Sequence, residues 1–351
     1  MITEILNVSG DNLSEICERA RRIWTDGGLV AFPTETVYGL GANGLDGTAS
    51  ARIYAAKNRP SDNPLILHIG RKEDLRPLVS FVPDSAEKLM DAFWPGPLTI
   101  ILPKSEAVPK ETSGGLMTVA VRMPSHPVAN ALLKAAGIPI AAPSANLSGR
   151  PSPTKAAHVI EDMNGRIDAI VDGGDVGIGL ESTIVDLSQE TPVLLRPGFI
   201  TREMLSRVLG DIDVDPAITA DAIIGHRKIS GAPKAPGMKY RHYAPKAPLT
   251  IVYGDPLKVA EKISLRADEK TVILAPKEHT ELYTRGQVLA LGALAEPESI
   301  AHELFDVLRA CDAAGADRIY SEDFTSVDFG GAIMNRLLKA AGGNYINVKD
   351  L

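Results

Sequence analysis

Two cations and an amide lie close together in the segment AAKNRPSDNPLILHIG, which covers residues 55–70. Lys57 and Arg59 come at the end of a helical pattern, and two prolines stiffen the loop that carries Asn63. Fixed cations on a rigid loop suit a polyphosphate, because phosphate oxygens accept charge-assisted hydrogen bonds. A basic residue at a helix C-terminus also compensates the helix dipole, so that structural role stays open for both cations.

Polar side chains also follow several apolar strands directly. Thr34 and Thr36 come just past LVAF, Arg122 closes TVAVR, and the others are Ser144, Asn146, Ser148 and Ser152 in the loop 142–154, Ser182 in ESTIVD and Arg196 in LLRPG. Ligands of α/β proteins bind at strand ends, so these residues predict a polar pocket, in which Arg122 suits a carboxylate. Their role as turn and helix-cap residues stays open. His68 lies inside the apolar strand LILHI, where a histidine is more often a satisfied core residue.

The segment 211–248 differs from the rest of the chain. Pro and Gly recur in it, and residues 222–254 contain six Lys and Arg residues but no acidic residue. An interdomain linker is the ordinary interpretation of such a segment. However, KYRHYAP places Tyr240, His242 and Tyr243 beside cations, and this combination suits an anionic, ring-bearing ligand. A lid over an active site is therefore the second interpretation of the linker.

Other motifs restrict the chemistry. Gly39-x-Gly41-x-x-Gly44 has the spacing of a dinucleotide fingerprint, but PTETVY separates these glycines from the strand that should end at them. We interpret the three glycines as a tight turn that needs positive φ. The chain has no Gly-Lys-Ser/Thr phosphate loop, no Gly-x-Ser-x-Gly elbow and no His-Glu-x-x-His, and Cys17 and Cys311 are far apart. We therefore expect no metal site built from side chains.

Alternating strands and helices must position the polar residues. Apolar runs predict strands at 29–32, 65–69, 98–102, 118–122, 138–142, 169–172, 182–187 and 193–196, and helical periodicity predicts helices at 12–26, 47–57, 84–93, 126–136 and 201–209. Further strands are predicted in LTIVYG, TVILA, VLALG and RIYSE, with helices near 255–267, 298–314 and 331–341. These patterns predict an α/β domain over 1–210, the linker over 211–248 and a smaller α/β domain with a parallel sheet over 249–351.

Length and composition limit the class of protein. The 351 residues are enough for two hydrophobic cores, and 44% apolar with 23% charged residues is typical of a globular protein. Two distant cysteines favour a reducing, cytoplasmic compartment. We expect no signal peptide, because the start MITEILNVSGDN lacks a basic segment followed by an apolar run, and no membrane span, because no stretch of about 18 apolar residues occurs. The net charge of −7 argues against a chain that coats nucleic acid, although a local basic site stays open.

Taken in chain order, these segments resemble the YrdC family, and in particular its long, two-domain threonylcarbamoyl-AMP synthases. The resemblance is carried by FPTETVYGLG, KNRPSDNPL with His68, WPGPLT, AVRMP, APSANLSGRPSPT, ESTIVD, LRPG and the linker APGMKYRHYAP. It is specific from about residue 25 to residue 247 and loose afterwards. It implies a twisted, mixed α/β sheet with a concave basic face, followed by a smaller Rossmann-like α/β domain.

The resemblance also implies a pocket that binds L-threonine, bicarbonate, ATP and Mg²⁺. Matched motif by motif, Thr36, His68, Arg122, Ala142 and Ser182 would surround the threonine, and Arg59, Asn63, Thr118, Ser144, Asn146, Ser152 and Arg196 would hold ATP together with Tyr240 and His242 of the linker. Lys57 and Arg59 would be the catalytic pair. The threonine amine would take up bicarbonate, and the resulting carbamate would attack the α-phosphate of ATP and release pyrophosphate.

The adenylate implied by the resemblance would supply a downstream transferase that modifies tRNA next to the anticodon. Two other functions of the same fold are weighed against it. A carbamoyl-transfer protein of the HypF type would carry an acylphosphatase region and zinc-binding cysteines, which this chain lacks. A non-catalytic RNA-binding module would suit a concave basic face, but the net charge and the detailed threonine-site motif disfavour it. RNA contact by itself stays open.

Overall fold

The computed structural model describes residues 2–225, 233–236 and 242–351. Its strands are β1 (Glu4–Asn7), β2 (Val30–Phe32), β3 (Gly39–Asn43), β4 (Ile66–His68), β5 (Leu98–Pro103), β6 (Thr118–Arg122), β7 (Ile140–Ala141), β8 (Ala169–Asp172), β9 (Thr183–Asp186), β10 (Val193–Arg196), β11 (Asp213–Val214), β12 (Leu249–Tyr253), β13 (Thr271–Ala275), β14 (Gln287–Ala290), β15 (Arg318–Glu322) and β16 (Tyr345–Asn347). Its helices are α1 (Leu13–Thr25), α2 (Gly47–Lys57), α3 (Asp84–Phe93), α4 (Lys110–Ser113), α5 (Pro127–Ala136), α6 (Ala156–Met163), α7 (Arg202–Leu209), α8 (Ala220–Ile224), α9 (Pro256–Arg266), α10 (Pro297–Ala313) and α11 (Gly330–Ala340).

These strands form two sheets of different kinds. The first has the order β1-β8-β2-β3-β7-β4-β6-β5-β9-β10-β11 and mixes parallel pairs, such as β4 with β6, and antiparallel pairs, such as β5 with β6. The second has the order β14-β13-β15-β12-β16, and each described pair in it is parallel. The expected α/β fold, with a mixed sheet followed by a smaller Rossmann-like sheet, is confirmed.

Apolar runs located most strands because the sheets are covered on both faces. Residues 98–102 of β5 are all buried, as is the whole of β2, so neither strand shows a polar alternation. The predicted strands correspond to β2, to β4–β10 and to β12–β15, and the predicted helices correspond to α1, α2, α3, α5, α7 and α9–α11. The strands β1, β3, β11 and β16 and the helices α4, α6 and α8 were not predicted. The glycines of β3 hide its strand pattern, and the other elements are short, so little periodicity develops along them.

The interpretation of Gly39, Gly41 and Gly44 as a tight turn with positive φ is wrong. The first two lie in β3, which pairs antiparallel with β2, and the third directly follows β3; none of them has a positive φ. A Cβ atom on Gly44 would lie 2.2 Å from Cδ2 of Leu67, and one on Gly41 would lie 2.7 Å from Cγ2 of Ile140. Glycine is therefore required because neighbouring strands pack closely on β3.

Strand register brings polar strand ends to one edge of the first sheet. His68 at the end of β4 pairs with Arg122 at the end of β6, and Arg122 pairs in turn with Thr99 near the start of β5. Strand β9 begins at Thr183 beside the start of β5, and β10 ends at Arg196 beside the start of β9. The loops that carry the predicted polar residues therefore meet in space, although they are far apart in the chain.

Helices α10 and α11 cover more than their own sheet. Val37, Leu180 and Tyr243 pack into the hydrophobic core that α10 and α11 form with β12, β13 and β15. The first sheet has separate cores on its own strands and helices. The second sheet is thus joined to loops of the first sheet through shared apolar packing. None of the helices in the described ranges has both the length and the hydrophobicity that crossing a bilayer requires.

Candidate functional site

An open cavity lies where the polar strand ends of the first sheet meet. The predicted residues that line it are Thr34, Thr36, Lys57, Arg59, His68, Arg122, Ala142, Ser144, Asn146, Ser148, Ser152, Ser182, Arg196, His242 and Tyr243. Arg59 and Arg122 share this cavity, although Arg59 follows α2 and Arg122 ends β6. The fold therefore gathers cations, hydroxyl groups and an amide from distant segments into one place.

Three predicted residues do not belong to the described lining. Thr118 begins β6, and Asn63 is buried in the loop before β4. The guanidinium of Arg59 links this loop to the cavity, because it donates to the carbonyl oxygens of Asn63 at 3.3 Å and Pro64 at 3.0 Å. Tyr240 lies outside the described residues. The roles of Thr118, Asn63 and Tyr240 stay predictions.

A buried arginine, Arg122, forms one end of the cavity. Its Nη1 donates to Oγ1 of Thr36 at 2.8 Å, its Nε donates to the carbonyl oxygen of Gly96 at 3.3 Å, and its Nη2 lies 2.8 Å from Oε1 of Glu35. Burial raises the pKa of Glu35, but the charge of Arg122 outweighs burial, so that the net pKa is lowered. A guanidinium has five N–H donors, which leaves two beyond these contacts for a ligand carboxylate. Sequence reasoning missed Glu35, whose only signal was its position next to Thr36.

His68 is buried, is hydrogen-bonded and lines the cavity. Its Nδ1 lies 3.1 Å from the carbonyl oxygen of Ile66, and its ring meets that of Phe32 edge-on at a centroid distance of 6.3 Å. Burial, together with the charge of Arg122, lowers the pKa of His68 to about 3. The imidazole is therefore neutral at pH 7 and can hydrogen-bond a ligand without adding charge.

Lys57 is buried, and backbone carbonyl oxygens hold its ammonium group. Its Nζ donates to the carbonyl oxygen of Ser144 at 2.5 Å and to that of Asn146. Burial lowers the pKa of Lys57 well below its ordinary value, and the charge of Arg59 adds to this effect. These contacts join the end of α2 to the loop 142–154. Compensation of its own helix dipole is therefore not the main role of Lys57.

Ser182 and Arg196 line the cavity together and are hydrogen-bonded to each other. The Nε of Arg196 donates to the carbonyl oxygen of Ser182 at 2.9 Å, and its Nη2 donates to Oγ of the same residue at 3.1 Å. The hydroxyl oxygen of Ser182 also lies 2.7 Å from Oγ1 of Thr99. Burial lowers the pKa of Arg196 to about 10, although the charge of Glu181 opposes this. The side chain therefore stays cationic at pH 7.

A buried carboxylate, Glu181, also lines the cavity and was not among the predicted site residues. Its Oε1 accepts a hydrogen bond from Oγ of Ser152 at 2.6 Å, and its Oε2 accepts one from Nε of Arg336 at 3.1 Å. Burial raises the pKa of Glu181, but the charges of Arg336 and Arg196 outweigh burial and lower it overall. Arg336 lies in α11, 155 positions along the chain, so no local pattern indicates this pair.

The described end of the linker lies against the cavity. His242 and Tyr243 line it, and the ring of Tyr243 packs on that of Phe305 in α10 at a centroid distance of 5.1 Å. Nε2 of His242 is buried without a hydrogen-bond partner in the described part of the chain. Burial and the charge of Arg59 lower the pKa of His242 to about 3. A buried ring nitrogen of this kind is available to a ligand.

The lining of the cavity is cationic and offers little to a metal ion. Glu181 is the one carboxylate of the described lining, and Ser152 and Arg336 engage both of its oxygens. Within the described ranges, no group of three or more His, Cys, Asp or Glu side chains could hold a metal. The guanidinium groups of Arg59, Arg122 and Arg196 instead favour anionic ligands.

Comparison with known proteins gives two family matches. Residues 22–198 match the Sua5, YciO and YrdC family, described as "Telomere recombination", and residues 200–342 match a family described as "Threonylcarbamoyl-AMP synthase, C-terminal domain". The chain is 49% identical to the threonylcarbamoyl-AMP synthase of Bacillus subtilis, over 91% of this chain and 90% of that protein. It is 48% identical to the threonylcarbamoyl-AMP synthase of Pyrococcus abyssi, over 92% of this chain and 93% of that protein.

Solved structures resemble the whole chain as well. The crystal structure of P. abyssi Sua5 complexed with L-threonine has a TM-score of 0.88 and 44% identity, and it covers 99% of both chains. A doubly substituted variant of P. abyssi Sua5 has a TM-score of 0.91 and 45% identity, over 99% of this chain and 98% of that chain. The overall fold of both sheets is therefore shared with these proteins.

Proposed function

The chain belongs to the threonylcarbamoyl-AMP synthase family, and we propose that its cavity converts L-threonine, bicarbonate and ATP into threonylcarbamoyl-AMP and pyrophosphate. The observation that carries this proposal is that one cavity brings together the residues assigned to threonine and most of those assigned to ATP. The L-threonine in the similar P. abyssi structure supports threonine as a ligand of this chain. The adenylate then supplies a separate transferase that modifies tRNA next to the anticodon.

We assign the end of the cavity around Arg122 to threonine. The two remaining N–H donors of its guanidinium suit the carboxylate of the amino acid, while Glu35 balances the buried charge and Thr36 fixes the plane of the group. Neutral His68 and the hydroxyl of Ser182 lie on the same wall and suit the polar groups of threonine. Ala142 leaves room for the ligand beside them.

We assign the other end to ATP. Arg59 and Lys57 lie there with Ser144, Asn146 and Ser152, and this mixture of cations, hydroxyl groups and an amide suits a triphosphate. We assign Arg196, which is hydrogen-bonded to Ser182, to the α-phosphate, and we assign His242, whose Nε2 has no hydrogen-bond partner among the described residues, to the nucleotide. Asn63 and Thr118 are assigned to the nucleotide beyond Arg59, and Tyr240 is assigned to it from outside the described residues.

The proposed reaction explains why the cavity needs no protein nucleophile. The amine of threonine attacks the carbon of bicarbonate and loses a proton, water leaves, and a carbamate forms. A carbamate oxygen attacks the α-phosphorus of ATP, and the bond from that phosphorus to the bridging oxygen breaks as pyrophosphate leaves. The substrates supply the nucleophile and the leaving group, so the protein acts by positioning them and by stabilising charge on the phosphate oxygens.

The described residues do not form a magnesium site of their own. Mg²⁺ is usually held by one or two carboxylates together with substrate phosphates, and both oxygens of Glu181 are already engaged. A magnesium ion that enters as the ATP complex would therefore keep its phosphate and water ligands. No step of the reaction is derived from it.

The linker suits the role of a lid. A mixed anhydride of a carbamate and AMP hydrolyses readily, so the cavity benefits from the exclusion of water. His242 and Tyr243 already lie in the cavity wall, and the backbone N–H of Ala244 donates to the carbonyl oxygen of Gly149 at 2.8 Å. We therefore assign residues 211–248 to a lid, residues 1–210 to catalysis and residues 249–351 to a supporting domain. The cytoplasm, inferred from the two unpaired cysteines, is the proposed compartment.

The proposal is tested with purified full-length protein, L-threonine, bicarbonate, ATP and Mg²⁺, without RNA. Mass spectrometry should detect threonylcarbamoyl-AMP, and pyrophosphate release should depend on threonine. Arg59→Ala should lower kcat/KM for ATP by about tenfold or more, because a hydrogen bond to a charged group contributes about 1.5–3 kcal/mol. Arg76→Ala is the matched control, since that side chain is 72% exposed.

Two results would overturn the proposal. If folded wild-type protein formed no adenylate with all substrates present, a binding function for the fold would be favoured, including the RNA-binding alternative. Turnover in Arg59→Ala equal to that of the control variant would contradict the assignment of the triphosphate end. The lid is tested separately with His242→Ala in the full chain, which should release more free AMP per adenylate formed than the wild type does.

A further inference from the structure

Two buried arginines reach from the helices of the second sheet into the region of the cavity. Arg336 of α11 is 0% exposed and donates to Oε2 of Glu181 at 3.1 Å. Arg309 of α10 is 5% exposed and donates to Oδ2 of Asp162 at 2.8 Å. Glu181 and Asp162 both belong to the part of the chain that builds the first sheet. Each is buried, so each needs compensation of its charge, and these two arginines supply part of it.

Each of these carboxylates holds part of the cavity wall. Glu181 lines the cavity and accepts the hydroxyl of Ser152 at 2.6 Å. Asp162 pairs with Arg150 and accepts the backbone N–H of Leu147 at 3.3 Å, so it fixes the loop 142–154 from behind. The two arginines therefore act on the loop that carries the residues assigned to the triphosphate.

Helices α10 and α11 also hold the backbone of the segment before Ser182 and of the residue after Arg196. Gly179 has φ +82°, and a Cβ atom on it would lie 2.4 Å from the carbonyl oxygen of His302 in α10. The Nη2 of Arg336 donates to the carbonyl oxygen of Glu181 at 3.3 Å, and its Nη1 donates to that of Pro197. One guanidinium thus joins the segment before Ser182 to the residue after Arg196.

We infer that Arg336 is a positioning residue for the ATP end of the cavity and acts through Glu181. This inference rests on the proposed function and gives the second domain a task in it. The effect should be larger for ATP than for threonine, because Ser152 and Arg196 are assigned to the nucleotide, whereas Ser182 is the one residue assigned to threonine that adjoins these contacts. Arg122, at the threonine end, is anchored independently by contacts to Thr36, Glu35 and Gly96.

Isothermal titration of full-length variants with ATP and with L-threonine tests this inference. Arg336→Met should raise the Kd for ATP by about tenfold or more, because one charge-assisted contact is of that size, and should change the Kd for L-threonine by less than about threefold. Asp306→Asn is the matched control. It weakens contacts across the same interface, to Lys155 at 2.9 Å and His158 at 3.0 Å, and neither partner lines the cavity.

A double-mutant cycle separates positioning from general destabilisation. If Arg336 acts through Glu181, the Kd for ATP of Arg336→Met/Glu181→Gln should stay within about threefold of that of Arg336→Met, instead of showing the product of the two single effects. Arg336→Lys, which keeps the charge but not the forked contacts, should lie between the wild type and Arg336→Met. It also carries the test if Arg336→Met does not fold.

The outcomes decide this inference separately from the proposed function. Unchanged ATP affinity in Arg336→Lys and Arg336→Met, or multiplicative effects in the cycle, would overturn the inference. An equal loss of affinity for both substrates would also overturn it, because it would indicate general loosening of the fold. Since the titrations measure binding without turnover, they decide the role of Arg336 even if the wild type binds ATP and forms no adenylate. A wild type that binds no ATP would overturn both.

Discussion

Replacement of Arg122 by methionine should reveal how a buried ion pair supports the threonine end of the cavity. The side chains of Arg122 and Glu35 are 4% and 12% exposed, and their closest N–O distance is 2.8 Å. Arg122→Met leaves the carboxylate of Glu35 buried without its counter-charge. We expect the free energy of unfolding to fall by about 3–5 kcal/mol at neutral pH.

Removal of both charges should restore stability but not binding. Arg122→Met/Glu35→Gln has no buried charge to desolvate, so it should recover all but about 1–2 kcal/mol of the loss. L-threonine binding should be absent from both variants, because neither has a guanidinium for the substrate carboxylate. The pair of variants therefore separates the structural from the binding role of Arg122.

The pH dependence of the single variant gives an internal check. Burial raises the pKa of Glu35, but Arg122 more than offsets burial, so the folded pKa lies below the ordinary value of 4.5. The pair therefore stabilises the fold fully above that value, and this contribution is lost as the pH falls through the folded pKa. In Arg122→Met, burial acts alone and Glu35 takes up a proton at higher pH. The stability difference from the wild type should be largest near about pH 7 and should narrow towards about pH 4.

Urea unfolding and calorimetric titration with L-threonine measure these effects. Arg19→Met is the control, because Arg19 pairs with Glu4 at 2.9 Å while the two side chains are 51% and 42% exposed. Its loss should be below about 1 kcal/mol. The reasoning would be refuted by a double variant no more stable than Arg122→Met, or by a double variant that binds threonine as the wild type does.

Three further predictions concern packing, protonation and the lysine contacts. Gly44→Ala should lower the free energy of unfolding by about 1–3 kcal/mol, because the new Cβ would lie 2.2 Å from a leucine methyl group. The control is Gly177→Ala, whose Cβ would meet no atom within 4 Å and which should leave stability unchanged. Equal melting temperatures of the two variants would contradict the packing around Gly44. The pKa of folded His68 is about 3, so its contribution to stability should be fully present above about pH 6.5 and should fall by about 1.4 kcal/mol per pH unit below that value. Urea unfolding of His68→Phe at pH 7 and 5 should therefore show a stability-versus-pH slope that is smaller than that of the wild type by about one proton. An unchanged slope would oppose this. Lys57→Met should lower both ATP turnover and the melting temperature, because each buried carbonyl left without a donor costs about 1–3 kcal/mol in the free energy of unfolding. An unchanged melting temperature would argue against the contacts of Lys57 to the loop 142–154.

Much of the fold could be predicted because its strands are buried on both faces. Continuous apolar runs located β5 and β13, and 3.6-residue periodicity located α1 and α10. The glycines of β3 misled the prediction. Gly41 in β3 and Gly44 directly after it must be small because Ile140 and Leu67, which are distant in sequence, pack against them. Positive φ plays no part in this requirement.

The cavity could be predicted only where a residue carried its own signal. Arg122 ends an apolar strand and His68 interrupts one, so both stand out in the sequence. Glu35 and Glu181 do not stand out, because an isolated acid in a loop is ordinary until its buried partner is known. Their partners, Arg122 and Arg336, come from distant strands and helices, and such pairs arise only from the tertiary fold.

A structure with L-threonine and a non-hydrolysable ATP analogue bound together tests the shared cavity most directly. The proposal predicts the threonine carboxylate on Arg122, the triphosphate on Arg59 and Ser144, and the α-phosphate next to Arg196. It would be contradicted if the two ligands occupied separate cavities, or if the α-phosphorus lay too far from the threonine amine for a carbamate to bridge them.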